Sequence, residues 1–220
     1  MTIEEAIAAR HSVRQYKDSP LSEEQITALR SKMEQINSDR GLHLQLVLNE
    51  PKAFSGLFAR FIKFSGAMNY IALVGKSSDD LKEKLGHEGE RLVLMAQQMG
   101  LNTCWVAGSF TKNNVVQVDK DEKFVAVIAI GYGENQGKPH TNKPIEDVAT
   151  LANTPDWFRK GVECAMLAPS AMNRQNFKFA LMPDGKVMAT AGHGTYSGLD
   201  LGIAKLHFEI GSGKDNSIWK

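Results

Sequence analysis

The chain has 220 residues, of which 42% are hydrophobic, and its 26 basic and 25 acidic side chains leave a formal net charge of +1. A chain of this length can bury roughly 70% of its unfolded surface, which predicts a globular protein of one domain or two small ones. The balanced charge gives no reason to expect nucleic acid or an anionic membrane as a partner. No export leader or membrane-spanning apolar run is recognisable, so a cytoplasmic protein is expected.

Two capping boxes predict the first two helices. Thr2 with Glu5, and Ser22 with Gln25, each place a hydroxyl acceptor three residues before a side chain that reaches back to the backbone. The second helix has one apolar face at helical spacing. Its residues are Ile26, Leu29, Met33 and Ile36.

Strands are predicted at residues 42–48, where apolar and polar residues alternate, and at the short apolar run 69–75. Between them, residues 54–64 carry aromatic side chains at helical spacing. This stripe is either part of the core or a lid over a cofactor, and the sequence leaves both open.

The third helix is predicted to begin at Ser77 with Asp80 and to end at Gly100 in the left-handed conformation. The run 124–131 is typical of a buried strand, and a further helix should start at Pro155. Helices and strands interleave without a strict β-α-β rhythm. The sequence therefore predicts an α+β layered fold rather than a doubly wound one.

Two pairs of segments resemble each other. Residues 39–51 and 172–184 both place a polar turn before an alternating strand, and residues 85–105 match residues 199–219 loosely. We interpret this as a partial internal duplication within one unit. The predicted bounds are 1–220 for the unit, 1–150 for the first repeat and 151–220 for the shortened second repeat.

The segment "ARHSVRQY" follows the first helix. In an extended conformation Arg10, Ser12 and Arg14 share one face, and two guanidinium groups with a hydroxyl suit a phosphate. The alternative is that these are ordinary surface arginines. Composition alone does not separate the two interpretations.

The stretch "APSAMNRQNF" lies between a helix and a strand and is rich in amides. The side chains of Asn173 and Gln175 each offer donors and an acceptor, which complement the edge of a flat heterocycle. The alternative is a polar helix-to-strand turn.

The sequence gives little support for a dinucleotide-binding motif, a metal site or a reactive cysteine. Gly131 and Gly133 follow a strand, but prolines occupy the place where a dinucleotide-binding helix would begin. The six histidines show no metal-ligand spacing, so no metal site is expected. Cys104 and Cys164 lie in apolar surroundings and are interpreted as reduced core residues.

Four motifs together resemble the FMN-dependent nitroreductase family. They are "AIAARHSVRQY", "GERLVLMAQQMGLNTCWVAGSF", "VAVIAIGYGENQGKPHTNKPIEDV" and "APSAMNRQNF". The resemblance covers most of the chain and implies a central, mainly antiparallel sheet flanked by helices. It is nearest to a thermophile-type branch with a fused partial second repeat.

The resemblance also implies a set of cofactor-binding residues. One group would hold the FMN phosphate and ribityl chain, a second would line the isoalloxazine ring, and a third would present backbone N–H groups to flavin N5. In this order the groups are Arg10, His11, Ser12, Arg14 and Lys143; Pro169, Ser170, Asn173 and Gln175; and Gly108 and Ser109.

One departure from the family pattern concerns the position of the Pro-Ser-x-x-Asn-x-Gln motif. Typical members carry it after the second helix, where this chain has residues 33–45 without it, and here the motif stands at 169–175. Typical members are homodimers with the flavin between chains. We therefore expect this chain to complete its own flavin site as a monomer, although a homodimer stays open.

The resemblance implies a two-electron oxidoreductase. NADH or NADPH would reduce the flavin, and a small planar acceptor such as a nitroaromatic or a quinone would reoxidise it by ping-pong kinetics. The chemistry would take place on the flavin, so no catalytic side chain is assigned. The alternative is a non-catalytic FMN-binding protein for storage or sensing.

Overall fold

The structure is a computed structural model that describes residues 1–54, 64–108, 110–111 and 114–220. The chain forms two compact units. The sheet unit comprises Ala9–Leu81 and Leu92–Pro139, and the helix unit comprises Met1–Ala8, Lys82–Arg91 and His140–Lys220. The division near residue 139 lies before the predicted repeat boundary at 150, and the two repeats themselves stay a prediction.

The described residues confirm the α+β fold class. The α-helices are α1 (Ile3–Ala9), α2 (Glu23–Arg40), α3 (Leu81–Gln98), α4 (Asp156–Ala165) and α5 (Ser197–Ser212). The strands are β1 (Gln45–Val47), β2 (Asn69–Lys76), β3 (Asn102–Val106), β4 (Glu122–Gly131), β5 (Phe177–Leu181) and β6 (Val187–Ala191).

A four-stranded sheet with the order β1-β2-β4-β3 organises the sheet unit, and each neighbouring pair is antiparallel. Of the two central strands, β2 is buried except at Lys76 and β4 is buried from Ala126 to Gly131, as their continuous apolar runs predict. The aromatic rings of Phe54 and Phe64 stack at 4.8 Å between centroids and belong to this core. Residues 55–63, on which the choice between lid and core depends, lie outside the described residues.

The first strand is shorter than the alternation at 42–48 predicts. The side chain of Asn37, in α2, donates to Leu44 O at 3.0 Å and accepts from Leu44 N at 2.8 Å. Pairing with β2 nevertheless begins before the strand, because Leu42 forms an antiparallel bridge with Gly75 and His43 N donates to Val74 O at 2.9 Å.

Both predicted capping boxes at the first two helices are present. Thr2 and Glu5 exchange backbone-to-side-chain hydrogen bonds at 2.8 and 3.2 Å, and Ser22 and Gln25 do so at 2.9 and 3.2 Å. The start predicted for the third helix, at Ser77 with Asp80, is wrong. Helix α3 begins at Leu81, and its N-cap residue, Asp80, makes no side-chain cap. Gly100 has φ +77° and ends that helix region as predicted.

The helix unit packs α5 against α4 and against the two-stranded β5-β6 sheet. At the α4 crossing, a Cβ on Gly211 would lie 2.3 Å from Cys164 Cβ, so the two backbones approach closely. Apolar aromatic rings fill the space beside the crossing. They are Phe158, Phe177, Phe179, Phe208 and Trp219.

A buried polar network joins the N-terminal half of α3 to α5. His87 contacts Glu209 at 2.9 Å and Glu88 at 3.1 Å, and Trp219 Nε1 donates to Glu209 at 2.6 Å. Burial alone would lower the pKa of His87, but the two carboxylates outweigh it and raise the pKa above 6.5. Burial opposes ionisation of Glu88, yet His87 and Arg91 lower its pKa to about 2.

The stability of the helix unit is expected to depend on pH through this network. The contribution of His87 is complete below pH 6.5 and is lost as the pH rises through its raised pKa. The contribution of Glu88 is complete above pH 4.5 and is lost as the pH falls toward about 2. In denaturant unfolding, His87→Gln should therefore destabilise more at about pH 5.5 than at about pH 9. Equal losses at both pH values would contradict the assignment.

Candidate functional site

In the sheet unit, residues 10–16 run beside the first residues of β3. Ser12 forms a parallel bridge with Thr103, and Val13 N donates to Thr103 O at 3.0 Å. The side chains of Val13 and Tyr16 are buried in the core and fix the direction of the segment. The predicted extended conformation is therefore supported by backbone pairing and by two apolar anchors.

Three polar side chains of this segment act on the thiol of Cys104, in β3. Burial raises the pKa of the Cys104 thiol, whereas the charges of Arg14 and Arg10 and a hydrogen bond with Ser12 oppose that rise. The Ser12 hydroxyl therefore lies within hydrogen-bonding reach of the Cys104 thiol, and the charges of both guanidinium groups act on that thiol. Arg10 is only 3% exposed, so it is not an ordinary surface arginine.

A glycine-containing loop packs directly on this segment. Gly137 has φ +73°, and a Cβ there would lie 2.7 Å from His11 Cβ and 3.0 Å from Ser12 O. Gly133 N donates to the side chain of Asn102 at 2.9 Å, which anchors the other end of the loop. The loop thus fixes the backbone that carries His11 and Ser12.

In the helix unit, residues 169–176, which we call the Pro-Ser loop, have an unusual backbone. Met172 and Asn173 have φ of 54°, and Gln175 has φ of 43°. Left-handed conformations of non-glycine residues cost about 1 kcal/mol or more each and persist only where surrounding contacts impose them. Met172 is also 84% exposed, so burial of its side chain does not explain its conformation.

Gln175 supplies many of the contacts that hold the loop. Its side chain is 1% exposed; Nε2 donates to Asn142 Oδ1 at 3.1 Å and to Met166 O at 2.8 Å. Its Oε1 accepts from Lys143 N at 2.8 Å. Because both N–H groups are occupied, contact with a flavin edge would be limited to the second lone pair of Oε1. Gln175 therefore ties residues 142–143 to the end of α4.

Asn173 has a different environment from Gln175. Its side chain is exposed and donates to Thr141 O at 2.8 Å. The same amide has a second N–H and an oxygen acceptor with which to meet a ligand. Lys143, whose backbone Gln175 holds, is exposed as well.

These environments predict that two substitutions lower the free energy of unfolding to different extents. Gln175→Met should lower the free energy of unfolding by about 2 kcal/mol or more, because a buried side chain loses its three hydrogen bonds. Asn173→Asp keeps a residue that tolerates the left-handed conformation and should cost about 1 kcal/mol or less. Denaturant unfolding of both variants tests the contrast. Similar losses would contradict the different roles of the two amides.

The third predicted group is described in part. Gly108 follows β3 and is exposed, and Ser109 lies outside the described residues. The prediction that they present N–H groups to flavin N5 stays a prediction.

Comparison with known proteins decides the family. The model of the family "Putative TM nitroreductase" matches residues 2–212. The chain belongs to this family. Its predicted resemblance to a nitroreductase is thereby confirmed.

Solved structures agree with the family assignment. A "putative nitroreductase" from Thermotoga maritima is 26% identical, with a TM-score of 0.67, and the match covers 96% of this chain and 83% of that one. A "putative nitroreductase in complex with FMN" from Desulfovibrio desulfuricans is 17% identical, with a TM-score of 0.55, over 70% of this chain and 98% of that one. No curated protein matches the chain.

An "FMN-dependent nitroreductase" from Clostridium difficile has the same fold, with 18% identity and a TM-score of 0.51 over 68% of this chain and 98% of that one. The two shorter nitroreductases thus leave about a third of this family member without a counterpart. That share is similar in size to the predicted second repeat. The internal duplication itself stays a prediction.

The site residues form two groups, one in each unit. The sheet unit brings together Arg10, Ser12 and Arg14, and the helix unit brings together the Pro-Ser loop and Lys143. Among the described residues, no cluster of three or more His, Cys, Asp or Glu side chains could hold a metal ion. No helix in the described part of the chain is long and apolar enough to cross a membrane.

The sequence did not identify two polar residues that hold the Pro-Ser loop and its neighbours. Asn142 accepts from Gln175, and the carboxylate of Asp200 accepts from Ala171 N at 3.0 Å. Asp200 had a recognisable signal, because it stands between Leu199 and Leu201 in an otherwise apolar part of α5. An isolated acid on a buried helix face usually has a specific partner.

Proposed function

We propose that the chain is a flavin oxidoreductase that uses FMN. NADH or NADPH would be the reductant, and a small planar molecule such as a nitroaromatic or a quinone the acceptor. When bound, FMN supplies the two-electron hydride chemistry. Membership in a nitroreductase family and the FMN named for two structural relatives support this proposal.

The observation that carries the proposal is that the charges of Arg10 and Arg14 act on the same thiol, Cys104, with which Ser12 shares a hydrogen bond. Guanidinium groups bind phosphate oxygens two at a time, and a hydroxyl adds a further donor. Arg10 is already buried, so little of its conformational freedom remains to be lost on binding. This donor set fits the phosphate of FMN.

The Pro-Ser loop would bind the ring. Asn173 is the side chain in this loop best placed to meet the pyrimidine edge, since it is exposed and its left-handed backbone is held by neighbouring contacts. We assign Gln175 to positioning of the loop and of Lys143, whose ammonium group would add positive charge near the cofactor. Pro169 and Ser170 would line the ring, with Ser170 Oγ accepting from Gln175 N at 2.9 Å.

Anaerobic reduction tests the proposal. The FMN-loaded protein is mixed with NADH or NADPH, and the absorbance of the flavin is followed in time. We expect one of the two reductants to bleach the band within seconds, while FMN alone under the same conditions stays oxidised. A protein that binds FMN but is reduced by neither nucleotide would instead be the non-catalytic FMN-binding protein.

The stoichiometry and location of the protein are separate predictions. We propose that both groups of residues bind the same FMN within one chain and that the protein is a cytoplasmic monomer. Sedimentation of the FMN-loaded protein, followed at a flavin wavelength, should show the flavin moving with a single chain. Flavin that sediments only with a dimer would contradict the single-chain site.

A further inference from the structure

Asp200 is a buried acid with a specific backbone partner. It lies in the first turn of α5, is 5% exposed, and its Oδ1 accepts a hydrogen bond from Ala171 N at 3.0 Å. Ala171 opens the short 3-10 helix Ala171–Asn173 in the Pro-Ser loop. The carboxylate therefore holds the start of the loop segment that contains two left-handed residues.

The conformation of this segment needs such a contact. Met172 and Asn173 both have φ of 54°, and the side chain of Met172 is exposed. Non-glycine residues keep this conformation only where the surroundings impose it, and observed outliers of this kind are candidates for a functional constraint. Gln175 holds the C-terminal end of the segment, and Asp200 holds its N-terminal end.

We propose that Asp200 is a positioning residue of the flavin site, whose carboxylate holds the Pro-Ser loop in the conformation that presents Asn173 to FMN. This inference rests on the proposed function. Asp200 itself touches the backbone of Ala171 and not the cofactor. Its effect on FMN passes through the loop.

Titration of Asp200 should control this contact. Burial raises the pKa of Asp200 to about 6, and the hydrogen bond from Ala171 N opposes the rise. A carboxylate accepts a stronger hydrogen bond than a neutral carboxyl group. The loop is therefore held firmly above pH 6 and less firmly as the pH falls below it.

Charged groups on the packed elements have other partners. Lys82 donates to Thr195 O, Glu83 pairs with Lys205, and His207 contacts Glu90 at 2.9 Å. Burial is the cause of the raised pKa of Asp200, and only the hydrogen bond from Ala171 N opposes it. Arg174 in the loop and Lys143 beside it are exposed cations, and His140 contacts Met166 O at 2.9 Å. His140→Gln is therefore carried as a control.

The direction in which Asp200→Asn changes the free energy of unfolding distinguishes a positioning residue from one that only stabilises the fold. Because the folded-state pKa is raised above 3.8, the contribution of Asp200 to stability is complete below pH 3.8 and is lost as the pH rises through about 6. Above that pH the buried charge destabilises the fold. Asp200→Asn keeps an oxygen acceptor for Ala171 N without the charge, so it should unfold at a higher denaturant concentration than the wild type at about pH 8.

FMN affinity and hydrogen exchange test the proposal. At about pH 8, Asp200→Leu should bind FMN about 10-fold more weakly and Asp200→Asn about 3-fold more weakly than the wild type. The difference between wild type and Asp200→Asn should vanish at about pH 5, since both side chains are then neutral. Titration of the FMN phosphate affects all variants alike, and His140→Gln should keep the pH profile of the wild type.

Exchange of the amides of residues 171–176 gives a readout without FMN. In the apo protein it should be faster in Asp200→Leu than in the wild type, with Asp200→Asn between them. Exchange equal to that of the wild type overturns the proposal whether or not FMN binds. If the wild type binds FMN and Asp200→Leu binds it equally well, the role of Asp200 is wrong and the proposed function stands. If no variant binds FMN but exchange changes as expected, the proposed function fails and the loop contact stands.

Discussion

Arg10→Met is expected to weaken FMN binding by about 100-fold or more, because a buried guanidinium that meets a phosphate contributes several kcal/mol. Arg10 is 3% exposed and lies beside Arg14 and Ser12 at the start of β3. Methionine retains much of the apolar stem of arginine, so the change mainly removes the charge and the donors. Fluorescence titration of the apo protein with FMN measures the effect.

Two further variants separate the phosphate contact from general effects of charge. Arg10→Lys keeps the charge but loses the planar pair of donors, so its affinity should lie between those of the wild type and Arg10→Met. Arg30→Ala removes an exposed arginine from α2 in the same unit and should leave FMN affinity unchanged. Tight FMN binding by folded Arg10→Met would show that residues 10–14 do not hold the phosphate.

Gly202→Ala is expected to destabilise the helix unit by about 3 kcal/mol or more, because a rigid backbone group occupies the space of the new methyl group. A Cβ on Gly202 would lie 1.9 Å from Glu83 O, and a Cβ on Gly86 would lie 2.1 Å from Leu199 O. Helices α3 and α5 therefore meet backbone to backbone at both positions. The loss is measured by denaturant unfolding.

Gly198→Ala is the matched control on the same helix. A Cβ there would lie 3.3 Å from Lys82 Cβ, so the neighbouring helix would need to yield by only a few tenths of an ångström. Alanine has the higher helix propensity, so this variant should be as stable as the wild type or more stable by up to about 1 kcal/mol. Equal effects at positions 198 and 202 would contradict the close helix crossing.

The close crossing of α3 and α5 is also expected to affect the proposed flavin site. Asp200 lies between Leu199 and Gly202, whose backbones form the two contacts with α3. A side chain on such a fixed backbone can hold a loop more accurately than one on another loop. Loosening the crossing by Gly202→Ala should therefore weaken FMN binding together with stability.

Local sequence patterns predicted much of the fold correctly. Capping boxes need only residues three apart, and the central strands are continuous apolar runs, so both were recognisable without tertiary information. The N-terminus of α3 was mispredicted because Ser78, rather than Ser77, donates to Asp80, at 2.6 Å. The backbone of Leu44 is bound by Asn37 of α2, a contact that alternation in the strand does not encode.

The roles of the loop amides could not be predicted in the same way. Asn173 and Gln175 are equivalent in an extended pattern, yet one is exposed and the other is 1% exposed. The difference arises because Gln175 meets Lys143, which is 32 residues earlier in the chain. A tertiary contact of that kind is not determined by the local sequence, and Asp200 was missed for the same reason.

The order of helices and strands can be compared with the predicted duplication. The order helix, strand, strand, helix occurs as α2-β1-β2-α3 and again as α4-β5-β6-α5. In the second set the connection between the strands, from Leu181 to Val187, is shorter than that from Val47 to Asn69, whereas the connection from helix to first strand is longer. A common origin of the two sets stays a prediction.

Stoichiometric uptake of FMN is the most direct test of the proposed function. The purified protein is incubated with excess FMN, freed of unbound flavin by gel filtration, and its absorbance spectrum is recorded. We predict a bound flavin spectrum that corresponds to about one FMN per chain, as expected for a single specific site. A folded protein that emerges colourless would contradict the proposal.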